Sequence, residues 1–301
     1  MQTLMVTFIT LVAFAANSVL CRWALMDQTI DPLSFSIVRI LSGALTLLIL
    51  LALSSQSKAK SELASNTSLY TKLKSQFQLT SILSLLVYMF GFSFAYLELG
   101  AGLGALVLFV AVQFTMIAAH LFSGNRMSLI EWGGCLLSVA GLVYLLMPTE
   151  SAQAPDLVSI ILMSLAGIGW GIYTLAGKKS SNALQSTTAN FGFSSLVILV
   201  ALSLLVLIPN ALTQVSIIEQ GLIYAVISGS VASGIGYSLW YYVVKKLNTV
   251  VASIAQLSVP VIATLGGVLL LSEPVTMQFI VSSTVILLGI SLVLVAPKLK
   301  K

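Results

Sequence analysis

The chain has 301 residues, of which 58% are hydrophobic and 8% charged. With a mean hydropathy of +1.06 there is too little polar surface to coat a soluble globule, so the sequence predicts an all-α polytopic membrane protein. The net charge of +5 is dealt out between apolar runs and forms no single patch, which argues against nucleic acid as a partner and makes the basic residues topology signals.

Ten apolar runs predict ten transmembrane helices, near residues 4–25, 32–53, 78–98, 101–122, 128–147, 157–176, 187–208, 220–243, 249–271 and 276–296. Each is about 20 residues, enough for a helix to cross roughly 30 Å of hydrocarbon. The first lacks a basic flank before it and a small-residue cleavage site after it, so it reads as a helix and not a signal peptide. It carries Asn17, Cys21 and Arg22. The second carries Arg39, about 10 Å inside the helix from Pro32. Residues 54–77 are rich in Ser and Lys and read as a surface loop. The run Gly100–Gly104 sits between two spans with no strand before it, so it is no dinucleotide loop. The fourth span holds Gln113 and, near its end, His120; the fifth holds Cys135. The depths of Cys21 and Cys135 differ by about 12 Å, too far for a disulfide, and both read as packing residues. In the sixth span Gly167 and Gly171 make a small-residue seam beside Trp170 and Tyr173. The eighth carries Tyr237, Trp240 and Tyr241, the last expected as an interface anchor. In the ninth, Pro260 is expected to kink the helix and free a carbonyl near Gln256.

The charges segregate by side. With the amino terminus cytoplasmic, Lys58, Lys60, Lys72, Lys74, Arg126, Lys178, Lys179, Lys245, Lys246, Lys298, Lys300 and Lys301 all fall inside. Asp27, Asp31, Glu98, Glu150, Asp156, Glu219 and Glu273 fall outside or at the adjoining helix ends. The positive-inside rule then puts both termini in the cytoplasm. Ten spans divide into residues 1–150 and 151–301, and a shift of 148 lays Asn125 on Glu273 and Gly141 on Gly289. Equivalent positions carry acid when outside and Lys or Arg when inside. Because five is odd, the two five-helix repeats are inverted, an architecture of many secondary transporters.

Across nearly its full length the chain resembles the drug/metabolite transporter superfamily, of the ten-helix EamA type. The likeness rests on Gly234–Tyr242 (GIGYSLWYY), Val251–Ala255 with Pro260, the Leu271–Pro274 turn and Gly289. In the first half it rests on Asn17, Pro32–Arg39 and Trp170–Tyr173. Val112 and Asn125 depart from the pattern where the second half has Pro260 and Glu273. The resemblance implies a secondary transporter of the bacterial inner membrane, exporting or exchanging a small metabolite such as an amino acid by alternating access. The superfamily also includes carriers of nucleotide sugars and lipid-linked substrates.

A charge inside the bilayer costs several kcal/mol on insertion scales and faces a cavity or a partner. Arg39 is therefore the leading candidate, either as counter-charge to a substrate carboxylate or phosphate or as a structural partner of Glu98 or a helix-end carbonyl. Arg22, only a few residues from the outer end of its helix, is close enough to snorkel to water, which weakens the case for a binding role. Asn17, Gln113, Tyr173, Tyr237, Trp240 and Gln256 are the mid-depth substrate-binding candidates, each weighed against a role in helix packing. No Asp or Glu occupies the middle third of a span, which favours exchange or facilitated flux over proton antiport. Glu98 and Glu273 read as water-facing turn residues. With one histidine and no HExxH or GxSxG motif, neither an enzyme nor a metal or cofactor site is expected. A structural or channel-like protein is the competing class, and an inverted repeat is not something a passive scaffold needs.

Overall fold

The computed structural model describes residues 2–59, 69–124, 126–147, 155–205, 207, 216–247, 252 and 255–295. Among these, the regular elements are all helical. The ten principal helices are α1 (Gln2–Met26), α2 (Pro32–Ala59), α3 (Leu79–Ala95), α4 (Ala101–Phe122), α5 (Leu129–Leu146), α6 (Leu157–Lys178), α7 (Ala183–Leu205), α8 (Glu219–Val244), α9 (Ser258–Leu271) and α10 (Met277–Val295). Seven of them are long and apolar enough to cross a membrane; α3, α9 and α10 are shorter apolar helices. Lys60, Asn125, Glu150, Lys298, Lys300 and Lys301 lie outside the described residues.

One expectation changes. The segment 54–77 is not wholly loop: α2 runs on to Ala59, and Leu69–Lys74 form a short helix. The helical ladder is interrupted beside Pro260: Ala255 and Gln256 are helical, Leu257 is a turn, and α9 begins at Ser258. Pro260 sits in the first turn of α9, and its missing N–H leaves the carbonyl of Gln256, four residues earlier, without its usual donor, as the sequence predicts. Helix starts elsewhere follow local chemistry. Ser128 and Glu131 form a reciprocal capping box at α5. Asp156 accepts from Ser159 N at 2.7 Å and caps α6, and this bond holds its carboxyl below the ordinary range.

The main helix contacts come in pairs that interchange when the first five helices are exchanged with the last five. α1 packs on α8 and α9 as α6 packs on α3 and α4; α2 packs on α3 and α8 as α7 packs on α8 and α3. The largest of the other contacts, α2 with α7, α4 with α9 and α5 with α10, each pair a helix with its own counterpart. At the α5–α10 seam, Ser138 Oγ donates to Ile286 O at 3.2 Å across a separation of 148 residues. A side chain added at Gly141 would meet Ile286, and one at Gly289 would meet Ser138.

Close approach explains the small residues of α6. A Cβ at Gly167 would lie 2.4 Å from Leu108 O and one at Gly171 2.9 Å from Thr115, so this face lies flush on α4. Within α8 the residues Ser228–Ile235 (SGSVASGI) form a π-helical segment. Its Gly229 lies against α2, where a Cβ would fall 2.2 Å from Arg39 O. The bundle ends differ in charge: Asp27, Asp31, Glu98, Asp156, Glu219 and Glu273 sit at one, Lys74, Arg126, Lys178, Lys179, Lys245 and Lys246 at the other. They are called below the acidic and the basic end.

Candidate functional site

Arg39 is fully buried where α2 faces α3 and α8. Its Nε donates to Ser233 Oγ at 2.8 Å, and its Nη2 donates to Tyr88 Oη at 3.0 Å and Tyr237 Oη at 2.7 Å. The guanidinium carbon lies 4.7 Å from the Phe92 ring centroid and 5.4 Å from that of Tyr88, cation–π range for both. Nη1 is buried with no hydrogen-bond partner among the described residues. Among the described residues the one ion pair joins Arg22 to Glu273, so no carboxylate neutralises Arg39. Glu98, the structural partner considered from sequence, is exposed.

Asn17 completes the knot. Its Oδ1 accepts from Ser228 Oγ at 2.7 Å and Ser233 Oγ at 3.1 Å, and its Nδ2 donates to Tyr237 Oη at 3.4 Å. Tyr88 and Tyr237 share a hydroxyl–hydroxyl bond of 2.7 Å. The inventory is lopsided. Five guanidinium N–H groups, two phenols, two serines and an amide NH₂ converge, and Asn17 Oδ1 is the one carbonyl oxygen among the groups just named. A donor excess around a fixed cation suits an anionic group.

An aromatic wall surrounds this knot. Trp170 packs on Tyr237 at 4.6 Å, Phe14 at 5.1 Å, Tyr88 at 5.0 Å and Tyr173 at 5.5 Å. Trp240 reaches the cluster through Phe14 at 5.5 Å, and its Nε1 is buried without an acceptor among the described residues. Gln256 accepts from Trp170 Nε1 at 3.2 Å. Tyr173 accepts from Asn190 Nδ2 at 3.4 Å. Six of the seven candidates, Arg39, Asn17, Tyr173, Tyr237, Trp240 and Gln256, thus form one connected cluster; Gln113 is buried on α4.

The cluster also contains residues that sequence reasoning missed: Tyr88, Phe92, Phe14, Ser228 and Ser233. Tyr88 and Phe92 are spaced i, i+4 and share a helical face, a signal that was readable. Ser228 and Ser233 were not readable. At about 100° per residue, five α-helical steps separate two side chains by roughly 140°, whereas the π-segment's wider turn brings residues five apart onto one face. Tyr241 is a further correction. It is buried, with its hydroxyl donating to Tyr173 O at 3.0 Å, and is no interface anchor.

Beside the knot, Phe14, Ser18, Tyr88, Phe92, Leu108, Phe109 and Trp170 enclose about 10 Å³ of free space. That is roughly one water molecule's worth. The centre is therefore closed over its polar groups, and any solute larger than water enters only after the wall moves.

At the acidic end Arg22 is partly exposed and is held by backbone groups. Its Nη1 donates to the carbonyls of Tyr96 and Leu97 at 3.0 and 2.7 Å, and its Nε lies 3.6 Å from Glu273 Oε1. Glu273 in turn accepts from Ala101 N at 3.0 and 2.9 Å, capping α4. A Cβ on Gly267 would lie 2.4 Å from this carboxylate, so the glycine admits it. Glu273 is a clamp between the two halves of the chain, not a water-facing turn residue.

The profile of the EamA-like transporter family matches residues 1–147 and 157–295. An uncharacterized protein of Pseudomonas aeruginosa is 40% identical over 298 residues, 99% of this chain and 96% of that protein. The threonine/homoserine exporter RhtA of Escherichia coli is 29% identical over 175 residues, covering 56% of this chain and 55% of its own. A solved crystal structure, 17% identical, shares the fold with a TM-score of 0.61 over 97% of this chain and 98% of its own.

Proposed function

Because the chain belongs to the EamA-like transporter family, and so is a multi-pass membrane transporter of a small molecule, we propose that it carries an amino acid or a closely similar carboxylate-bearing metabolite. The observation that carries this reading is the free Nη1 of Arg39, buried in a donor-rich cluster with no carboxylate to neutralise it. A substrate carboxylate supplies the missing acceptor and the missing charge, and the aromatic wall packs against the rest of a small solute. The exporter name of the relative RhtA supports the same substrate class. In this reading Arg39, Asn17 and Tyr237 position the carboxylate, Tyr173, Trp240, Gln113 and Gln256 line its path, and the closed centre is the occluded stage of alternating access.

Residues 1–150 and 151–301 act as two inverted repeats that rock about this centre, a division supported by the interchangeable helix contacts. The lysine-rich end faces the cytoplasm of a bacterium and the acidic end faces outward across the inner membrane, on the positive-inside rule. Without a carboxylate among the groups described around Arg39, the carrier works by exchange or facilitated flux and not by proton antiport. A phosphate-rich cargo such as a nucleotide sugar would call for more than one cation at the centre.

The test is counterflow. Purified protein in liposomes is preloaded with each amino acid in turn and assayed for uptake of the labelled compound, threonine and homoserine first. Saturable, carboxylate-dependent exchange is the expected result; failure of every amino acid sinks the reading. Reporter fusions after Lys60 and Gln153 are expected on opposite sides of the membrane, and a same-side result overturns the orientation.

A further inference from the structure

A separate cavity of about 320 Å³ lies at the acidic end, bounded by α1, α4, α9 and α10. That volume lies at the lower end of the range for small-molecule sites, which begins at about 300 Å³. Its walls carry one cation and one carboxylate, Arg22 and Glu273, with Thr276 and Gln278 beside them and Leu103 and Phe279 as apolar surface. The two charges are held mainly by backbone groups. The carbonyls of Tyr96 and Leu97 fix Arg22, and Ala101 N fixes Glu273. At 3.6 Å their contact is too long for a hydrogen bond. Arg22 Nε is left buried with no hydrogen-bond acceptor among the described residues.

The geometry points to a second binding site here, for a small zwitterion such as a free amino acid. Its carboxylate takes Arg22 and its ammonium takes Glu273, so that one ligand exchanges their 3.6 Å ion pair for a closer partner for each charge. The apolar remainder of the cavity receives the side chain. Binding here also competes with the bonds that fasten α1 to the end of α3 and the α9–α10 turn to the start of α4, so occupancy loosens the closure at this end. The proposal rests on the amino-acid reading of the central site only for the choice of probe.

The experiment uses full-length protein in detergent with Arg39→Gln to disable the central site, titrated calorimetrically with each of the twenty amino acids. At least one is expected to bind Arg39→Gln, the analogue of that ligand lacking its amino group to bind about tenfold or more weakly, and Glu273→Gln added to Arg39→Gln to weaken binding by a similar factor. Glutamine keeps an oxygen for Ala101 N, so the α4 cap survives and only the charge is lost. If Arg39→Gln does not fold, the wild type is used, and two sites per chain are expected to fall to one in Glu273→Gln. No binding to folded Arg39→Gln, or binding indifferent to Glu273→Gln, overturns the proposal. Wild-type exchange by Arg39→Gln in liposomes overturns the central-site reading alone and leaves this one standing.

Discussion

Replacing Arg39 by methionine separates a binding role from a structural one. In the folded protein Arg39 donates to Ser233, Tyr88 and Tyr237 at 2.8, 3.0 and 2.7 Å. Removing it does not orphan those groups, because the two tyrosine hydroxyls still meet at 2.7 Å and Ser233 still reaches Asn17 at 3.1 Å. The three lost bonds are offset by relief of a buried, unneutralised guanidinium, and replacement of buried charge by apolar side chains is often neutral or stabilising. Arg39→Met is therefore expected to fold with a thermal midpoint within a few degrees of wild type, or above it. Transport behaves differently. One charge-assisted bond to a substrate carboxylate is worth about 1.5–3 kcal/mol, which corresponds to roughly 10- to 150-fold in affinity. Half-saturation in counterflow, measured in liposomes at matched amounts of folded protein, is expected to rise by at least that factor. Full exchange by Arg39→Met, or a large loss of stability with normal exchange per folded molecule, refutes the assignment.

Tyr237→Phe removes one of the two acceptors of Arg39 Nη2 and the acceptor of Asn17 Nδ2; it is expected to destabilise the protein by about 1–3 kcal/mol in chemical denaturation in micelles and to lower exchange. Gly229→Val places a side chain where a Cβ alone would lie 2.1 Å from Ser42 Oγ and 2.2 Å from Arg39 O. Since the second contact is backbone, α2 and α8 have to separate, and loss of the monodisperse peak in size-exclusion chromatography is expected. Exchange is expected to be unaffected by an imposed pH gradient; a gradient-driven accumulation counts against a centre without a titrating acid. At the acidic end, the Asp156 carboxyl is depressed from its ordinary 3.8 by the Ser159 N–H. Its contribution to stability is thus present above 3.8 and is lost as pH falls through the lower folded value. Asp156→Asn keeps the cap without the titration, so the thermal midpoint of the variant is expected to fall less than wild type on acidification.

The helices and their ends were largely legible because they answer to one-dimensional rules. Apolar length against bilayer thickness located ten helices, and an isolated arginine in a span identified Arg39 as the residue to examine. Asn17, Tyr237 and Gln256 followed from the cost of placing polar groups in hydrocarbon. Errors arose where the outcome depended on a partner from another helix. For Arg22 the position near a helix end was readable, but the carbonyls of Tyr96 and Leu97 that hold it there were not. Glu273 looked like a turn residue because nothing in its own neighbourhood reveals that Ala101, 172 residues earlier, lacks an acceptor. Tyr241, near a helix end, had the composition of an anchor but the surroundings of a core residue.

By itself the sequence determined that this chain lives in a bilayer, how many times its apolar runs can cross, and that one cation lies deep among them, since these depend on transfer free energies summed along the chain. The tertiary structure alone decided which groups meet that cation. Tyr88 and Tyr237, 149 residues apart, share a hydrogen bond, and Ser228 and Ser233 converge on Asn17 through a π-turn that α-helical periodicity places on different faces. A site assembled between helices is set by their packing and register, which no local pattern encodes.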